Sequence, residues 1–313
     1  MNKRRFVSLG HIVNDIQPAN HLGGSVSYTA VAAVRLGYEA HIITKCPKNH
    51  PYITLLENLG VQMHVLPSLN STITTFNNIY DKQGERKQQS LQQQETITIE
   101  DFPLFPKKLL ASAIIVVAPV IGEVDMALLP FLSKYGSIVV LPQGYFRTIQ
   151  KDGTITPQEW NFDHKTVAKA EFVILSDKDI PEDETLNTSF LERLKSLVNI
   201  CVLTHGEKGS TIYTNTGETN VTAFPLKENE IQDFTGAGDT YAATFITRYK
   251  QTKNIKEAAL VASFYASLKI IGFRGIGIDS IPTKTEIQQF ISQNANRIRT
   301  YLKENDTSVV SLF

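Results

Sequence analysis

The chain has no net charge to offer a polyanion, because thirty-one lysines and arginines balance thirty-one aspartates and glutamates. Without a basic field, nothing draws it over distance to nucleic acid or an anionic membrane, and any anion it binds must be held locally. Cysteine is scarce as well. Cys46 and Cys201 are the only two and lie far apart, which excludes a disulfide framework or paired zinc-ligand spacing and predicts buried thiols in a reducing cytoplasm. No apolar run reaches the length that spans a bilayer, and the stretch after Arg4-Arg5 is interrupted by Gly10 and His11, unlike a signal peptide. Internal repeats and linkers rich in proline, glycine and serine are also missing. The 313 residues, 42% hydrophobic, therefore read as a single soluble domain (1–313) with a substantial core.

What is present alternates. Phe6–Gly10, Ala40–Thr44, Val61–Leu66, Ala113–Ala118, Ser137–Leu141, Glu171–Leu175 and Asn199–Thr204 read as strands. Between them, helical patterns cover Val26–Leu36, Tyr52–Leu59, the neighbourhood of Asp125–Lys134 and Glu184–Val198. That rhythm predicts an α/β fold with a mostly parallel sheet and helices on its faces. It breaks between Ser68 and Thr98, where Thr72–Tyr80 is β-branched and aromatic, Asp81–Gly84 reads as a turn and Gln88–Gln94 as a polar, low-complexity return. A β-hairpin standing off the main sheet is expected there. Ile255–Ile271 reads as a buried helix, and Lys284–Leu302 as one last amphipathic helix.

The richest stretch is Asp233-Phe-Thr-Gly-Ala-Gly-Asp239, followed by apolar residues at helical spacing. A glycine turn feeding a helix start places unpartnered N–H groups and the positive end of the helix dipole where a phosphate can dock. Asp239 would sit at the edge of that anion, placed to take a proton from an attacking hydroxyl. Tyr241 stands where a dinucleotide fingerprint needs glycine, and the Gly-Lys-Ser/Thr of a P-loop is absent. Taken alone, the turn could equally be an ordinary helix start.

Asp233-x-x-Gly236-Ala237-Gly238-Asp239 resembles the second signature of the PfkB carbohydrate kinases, the ribokinase-like family. The likeness extends along nearly the whole chain. Gly23-Gly24 before a helix ending in Arg35-Leu36-Gly37 looks like the first signature, Gly10-x-x-x-x-Asp15 like the opening strand with its acceptor-binding aspartate, and Thr204-x-Gly206-x-x-Gly209 like the nucleotide turn. Gly275-Ile276-Gly277 resembles the closing segment. The resemblance implies a three-layer αβα sandwich with a β-lid from about residues 12–22 and 68–98. It also implies an ATP-dependent, Mg²⁺-assisted kinase of a small polyhydroxylated acceptor, with Asp239 as base and Gly236, Ala237 and Gly238 around the transferring phosphoryl group. Asp15, Gly23, Gly24, Gln143 and Arg147 would face the acceptor; Thr204, Gly206, Gly209, Thr235 and Ser176 the nucleotide; Asp179 would act indirectly on the metal. A homodimer through the lid is compatible with it.

Each of these residues has a plainer reading too: Asp15 as a turn residue, Gly23-Gly24 as a helix start, Thr204–Gly209 as a hairpin turn, Arg147 on a surface loop. His11, His21 and His205 have no spacing of a triad or metal site and read as structural or peripheral. Three positions depart from the family pattern. Tyr28 replaces a frequent Asn, Leu141 a frequent Asp, and Ser176-x-x-Asp179 an Asn-x-x-Glu linked to magnesium and phosphate. They bear on the acceptor and the metal. A nucleoside kinase, a vitamin-precursor kinase and a non-catalytic binder of the same fold remain as alternatives, the retained Asp239 telling against the last.

Overall fold

The structure, a computed structural model, describes residues 4–17, 20–80, 86–180 and 184–307. Arg5–Leu9 (β1) opens the main sheet, after which Val13–Asp15 (β2) and His21–Gly23 (β3) leave it for a smaller one. Ser25–Arg35 (α1), Glu39–Lys45 (β4), Pro51–Asn58 (α2) and Gln62–Leu66 (β5) return to the main body. Thr74–Tyr80 (β6) and Arg86–Gln92 (β7) complete the small sheet. The alternation resumes with Lys107–Leu110 (α3), Ile114–Val117 (β8), Leu129–Leu132 (α4) and Ser137–Val140 (β9), and a short hairpin follows, Arg147–Ile149 (β10) and Ile155–Pro157 (β11). His164–Val167 (α5), Phe172–Ser176 (β12), Glu184–Lys195 (α6), Ile200–Thr204 (β13), Ser210–Thr214 (β14) and Gly217–Val221 (β15) come next. Ala237–Thr252 (α7), Ile255–Ile271 (α8), Lys284–Gln293 (α9) and Ala295–Glu304 (α10) close the chain.

The main sheet has nine strands in the order β15-β14-β13-β12-β9-β8-β1-β4-β5. From β13 to β5 every neighbouring pair is parallel, while β14 and β15 add an antiparallel edge. Its central strands β8, β9 and β12 read as nearly unbroken apolar runs because both faces are covered. Phe6, Ile42, Val116, Phe172 and Val202 point into one core with α1, α7 and α8, while Val7, Ile43, Val117, Val173 and Leu203 point into the other with Leu110, Leu129, Val167 and Leu194 of α3 to α6. This alternation makes three layers.

The small sheet runs β3-β2-β6-β7. Asp15 thus ends a strand of this sheet, β1 having stopped at Leu9. β7 takes Gln88–Gln92 of the glutamine run into an antiparallel ladder with β6, and the amides of the run are spent on specific bonds. Gln88 Nε2 donates to Asn78 Oδ1 at 2.9 Å, and buried Gln94 donates to Thr72 O at 2.7 Å. The turn expected at Asp81–Gly84 lies outside the described residues. The last amphipathic helix is in fact two, because Asn294 leaves helical geometry at φ −121°, ψ 26° and its side chain donates to Phe290 O, competing with the helix backbone. The hairpin β10–β11, with three-residue strands, and the polar strand β15 carry no sequence pattern that announces them.

Where β4 meets β5, His41 Nδ1 lies 3.2 Å from His64 Nε2. Burial first, then the neighbouring His64, pushes the His41 pKa down to about 4. A depressed folded pKa means that stability present above the free imidazole value, about 6.5, is lost as pH falls through 4. His41→Leu should flatten this acid limb in denaturation midpoints measured from neutral pH downward; an unchanged slope would assign it to other groups.

Candidate functional site

The C-terminal ends of the parallel strands, the glycine turn and the small sheet enclose a cleft of about 1080 Å³, where ligands of open α/β sheets bind. Asp15, Gly24, Gln143, Arg147, Ser176, Asp179, Thr204, Gly206, Thr235, Gly236, Gly238 and Asp239 all line it. Gly23, Ala237 and Gly209 do not. A Cβ on Gly23 would collide with Asp15 Oδ2, and one on Gly209 with Val221 O; both are glycines because another part of the chain presses against them. The Ala237 N–H donates to Phe234 O at 3.1 Å, closing the turn and leaving Gly238 and Asp239 to present theirs at the start of α7.

The turn is held from behind. Asp233 Oδ2 accepts from Lys269 Nζ at 2.8 Å and from the Gly277 N–H at 2.9 Å, and Oδ1 accepts from the Thr235 N–H at 2.8 Å. Lys269, on α8, has no solvent exposure. Burial alone would raise the Asp233 pKa, but the Lys269 contact and these N–H groups hold it below the ordinary carboxylate value. The Tyr28 ring fills the space under Gly236, where any Cβ would overlap it; Gly236 has φ 77° besides. The departure at Tyr28 is therefore accommodated by the turn itself: its ring is a buried support for the anion end.

Asp239 is half-buried at the head of α7. Enclosure by protein pushes its carboxyl up to about 6, against the opposing pull of the Ser25 hydroxyl and of Arg147, with Asp179 reinforcing the rise and Lys269 opposing it. Asp179 is raised too, by burial first, while Arg147 and the Ser176 N–H counter it. Asp15 is buried and accepts from Asn78 Nδ2 at 3.1 Å, the amide to which Gln88 in turn donates. On the far side, His205 bridges Asp177 Oδ2 and Thr211 Oγ1, each at 3.1 Å. His205 lines the cleft, whereas His11 is a buried fastener between Thr74 Oγ1 and Glu95 O. Ser25, Tyr28, Asn78, Gln88 and Lys269 carry no motif, and only Tyr28 was marked beforehand, as a departure.

Residues 161–277, which include the glycine turn, match the family model of the pfkB family carbohydrate kinases. That stretch is a PfkB-type carbohydrate kinase domain. Among its relatives, the 5-dehydro-2-deoxygluconokinase of Geobacillus kaustophilus is 26% identical over 296 residues, 88% of this chain and 86% of the relative. Two solved structures share the fold: a sulfate complex of a pyrophosphate-dependent kinase in the ribokinase family (TM-score 0.73, 19% identity, 88% of this chain and 98% of that one), and such a kinase with a pyrophosphate analogue and myo-inositol (0.71, 20%, 87% and 96%). The fold is ribokinase-like, and the protein is a phosphotransferase with an alcohol acceptor.

Because Lys269 is buried and answers a single carboxylate, removing it should be costly. Lys269→Met is expected to lower unfolding free energy by about 3–5 kcal/mol, measured by chemical denaturation at neutral pH. A loss below about 1 kcal/mol, the range of surface pairs, would mean that the turn does not depend on this contact.

Proposed function

We propose that the protein is an ATP-dependent kinase that phosphorylates a hydroxyl of a sugar or an inositol-like polyol. One observation carries this reading: a carboxyl raised to about 6, Asp239, stands at a glycine-flanked helix start in the same cleft as a buried carboxylate, Asp15. Asp15 holds acceptor hydroxyls. The attacking hydroxyl oxygen bonds to the γ-phosphorus, the bond to the β–γ bridging oxygen breaks, ADP leaves, and the hydroxyl proton passes to Asp239. The Gly238 and Asp239 N–H groups and the α7 dipole take up charge on the transferring group, and Arg147 adds a fixed cation. Gly24, at φ 90° and pressed against His11 O, lets the chain turn from β3 into α1 beside the acceptor, Gln143 orients Asp179, and Thr204, Gly206, Thr235 and Ser176 line the donor side.

Among the described residues no cluster of three or more His, Cys, Asp or Glu side chains forms a metal site. Asp179 nevertheless raises the pKa of Asp239 and is itself raised by burial and by Asp177, a shortage of positive charge that suits Mg²⁺ arriving with the nucleotide, Asp179 and Ser176 acting on it indirectly. The ion would supply neutralisation of the phosphates. A homodimer would use the lid, where Ile79 and Leu91 are about half exposed. The cytoplasm, where ATP is abundant, is the matching compartment.

The decisive experiment is a phosphoryl-transfer screen with ATP and, separately, pyrophosphate as donor, over inositols, hexoses, keto-sugar acids, pentoses and nucleosides. No transfer to any of them, with ATP still bound, would overturn the reading. With the acceptor found, Asp239→Asn should reduce kcat by about 10²–10⁴-fold while ATP affinity by calorimetry is kept. The same substitution has a second signature. A raised folded pKa gives stability that is present below the unfolded value and lost as pH rises through 6, so the Asn variant should gain thermal stability above pH 6, where the wild type carries the ionised group. Asp15→Ala should raise the acceptor KM by an amount corresponding to about 1.5–3 kcal/mol and leave that for ATP nearly unchanged. Equal effects on both would move Asp15 out of the acceptor site.

A further inference from the structure

The hairpin β10–β11 has no counterpart among the motifs, yet it touches both the small sheet and the cleft. At its tip the Ser90 N–H of β7 donates to Gly153 O at 2.8 Å, Gln89 pairs antiparallel with Thr154, and Gln89 Nε2 donates to Asp152 O at 3.1 Å. Gly153 sits at φ 86° with no room for a side chain, since a Cβ would lie 2.8 Å from Ser90 O. At its base is Arg147, whose Nη1 donates to Val120 O at 3.2 Å and whose charge is felt by both Asp179 and Asp239. Between tip and base a small apolar cluster joins Val13 and Phe76 of the small sheet to Val120, with Ile121 and Ile155 of β11 packed against it.

We infer that this hairpin is a positioning strut that makes the seating of the lid strand β7 and the placement of Arg147 a single event. Arginine is a long side chain with much freedom to lose, and its value to a transferring phosphoryl group depends on being held. Here β10 fixes its backbone, Val120 O fixes one end of its guanidinium, and both are tied through the cluster and the Ser90–Gly153 bond to the strand that carries Gln88 into the cleft. An acceptor that settles the lid thereby settles Arg147. A lid displaced from Gly153 draws β10 and its arginine away from Asp179 and Asp239, so the site is incomplete for transfer to water.

The consequence for turnover rests on the kinase reading; the coupling itself does not. The test uses Gly153→Val and Gln89→Ala at the tip and Arg147→Ala at the base, all in the full chain, with hydrogen exchange at the Ser90 amide as the common readout. The tip variants should speed exchange at Ser90 directly. Coupling is reciprocal, so Arg147→Ala should also speed it, by at least about fivefold, although the guanidinium bond to Val120 O lies at the base of the hairpin and the Ser90 bond at its tip. With ATP and the acceptor from the screen, Gly153→Val should lower kcat about tenfold to a hundredfold and raise the acceptor KM, leaving the KM for ATP within about twofold. Gln89→Ala should move the same quantities less, which guards against a Gly153 variant that fails to fold. Unchanged Ser90 exchange in Arg147→Ala overturns the inference, as does a tip variant that loosens Ser90 but keeps wild-type kcat and acceptor KM. If the wild type transfers no phosphoryl group, the kinase reading fails and the exchange comparison still decides the strut.

Discussion

Lys269 lies in the last turns of α8 with its ammonium facing the back of the glycine turn, and the rest of the cleft is arranged around that one buried cation. Asp233 answers it directly at 2.8 Å, and the Lys269 ammonium stands 5.8 Å from the centre of the Tyr28 ring, which in turn supports Gly236. Taking an ammonium out of water is expensive unless it is paired and hydrogen-bonded. Lys269 also donates to Asp233 O at 3.0 Å, so two of its protons go to one residue and fix both the side chain and the backbone of the turn's first position. Burial lowers the Lys269 pKa, with Asp233 holding it back. The cost falls on a helix interior, and the return is a turn whose start is fixed in place.

The two aspartates of that turn show how environment divides one residue type into two roles. Asp233 is surrounded by an ammonium and two N–H groups and is held ionised; Asp239 faces burial and a second carboxylate, and its ionised form is disfavoured. The first is therefore an anchor and the second a group whose proton can come and go near neutral pH. Nothing in the string Asp-Phe-Thr-Gly-Ala-Gly-Asp distinguishes them. The distinction comes from α8, from Ser25 at the start of α1 and from Asp179 after β12, all distant in sequence.

That division also describes how much of the molecule was legible beforehand. The parallel sheet was, because its central strands are apolar on both faces, as in Phe172–Ser176, and the helices between them keep a helical period, as in Pro51–Asn58. Most cleft residues were legible too, because they stand in motifs, such as Asp233-x-x-Gly236-Ala237-Gly238-Asp239, whose combination along one chain resembles a known family. The partners that tune them were not. Gln88 looked like one member of a polar run and Asn78 like an ordinary strand residue, and the bonds joining them to Asp15 exist only once β2, β6 and β7 are paired. Lys269 was hidden inside a helix read as apolar. Asn294 was overlooked because one asparagine does not interrupt an amphipathic pattern, although its side chain interrupts the helix. The hairpin β10–β11 had too few residues to show a period.

The two cysteines, set aside at the outset as unlikely ligands, carry a practical consequence. Both are buried, and burial pushes both thiols up to about 12, so near neutrality almost none of either is thiolate, the form that attacks alkylating reagents. The native chain is in effect silent to thiol chemistry. A cysteine introduced at an exposed position of the small sheet such as Leu91 would be the fast-reacting one, ready to carry a fluorophore or spin label with no prior removal of native sulfur. The small sheet can thus be reported on from an otherwise unaltered molecule.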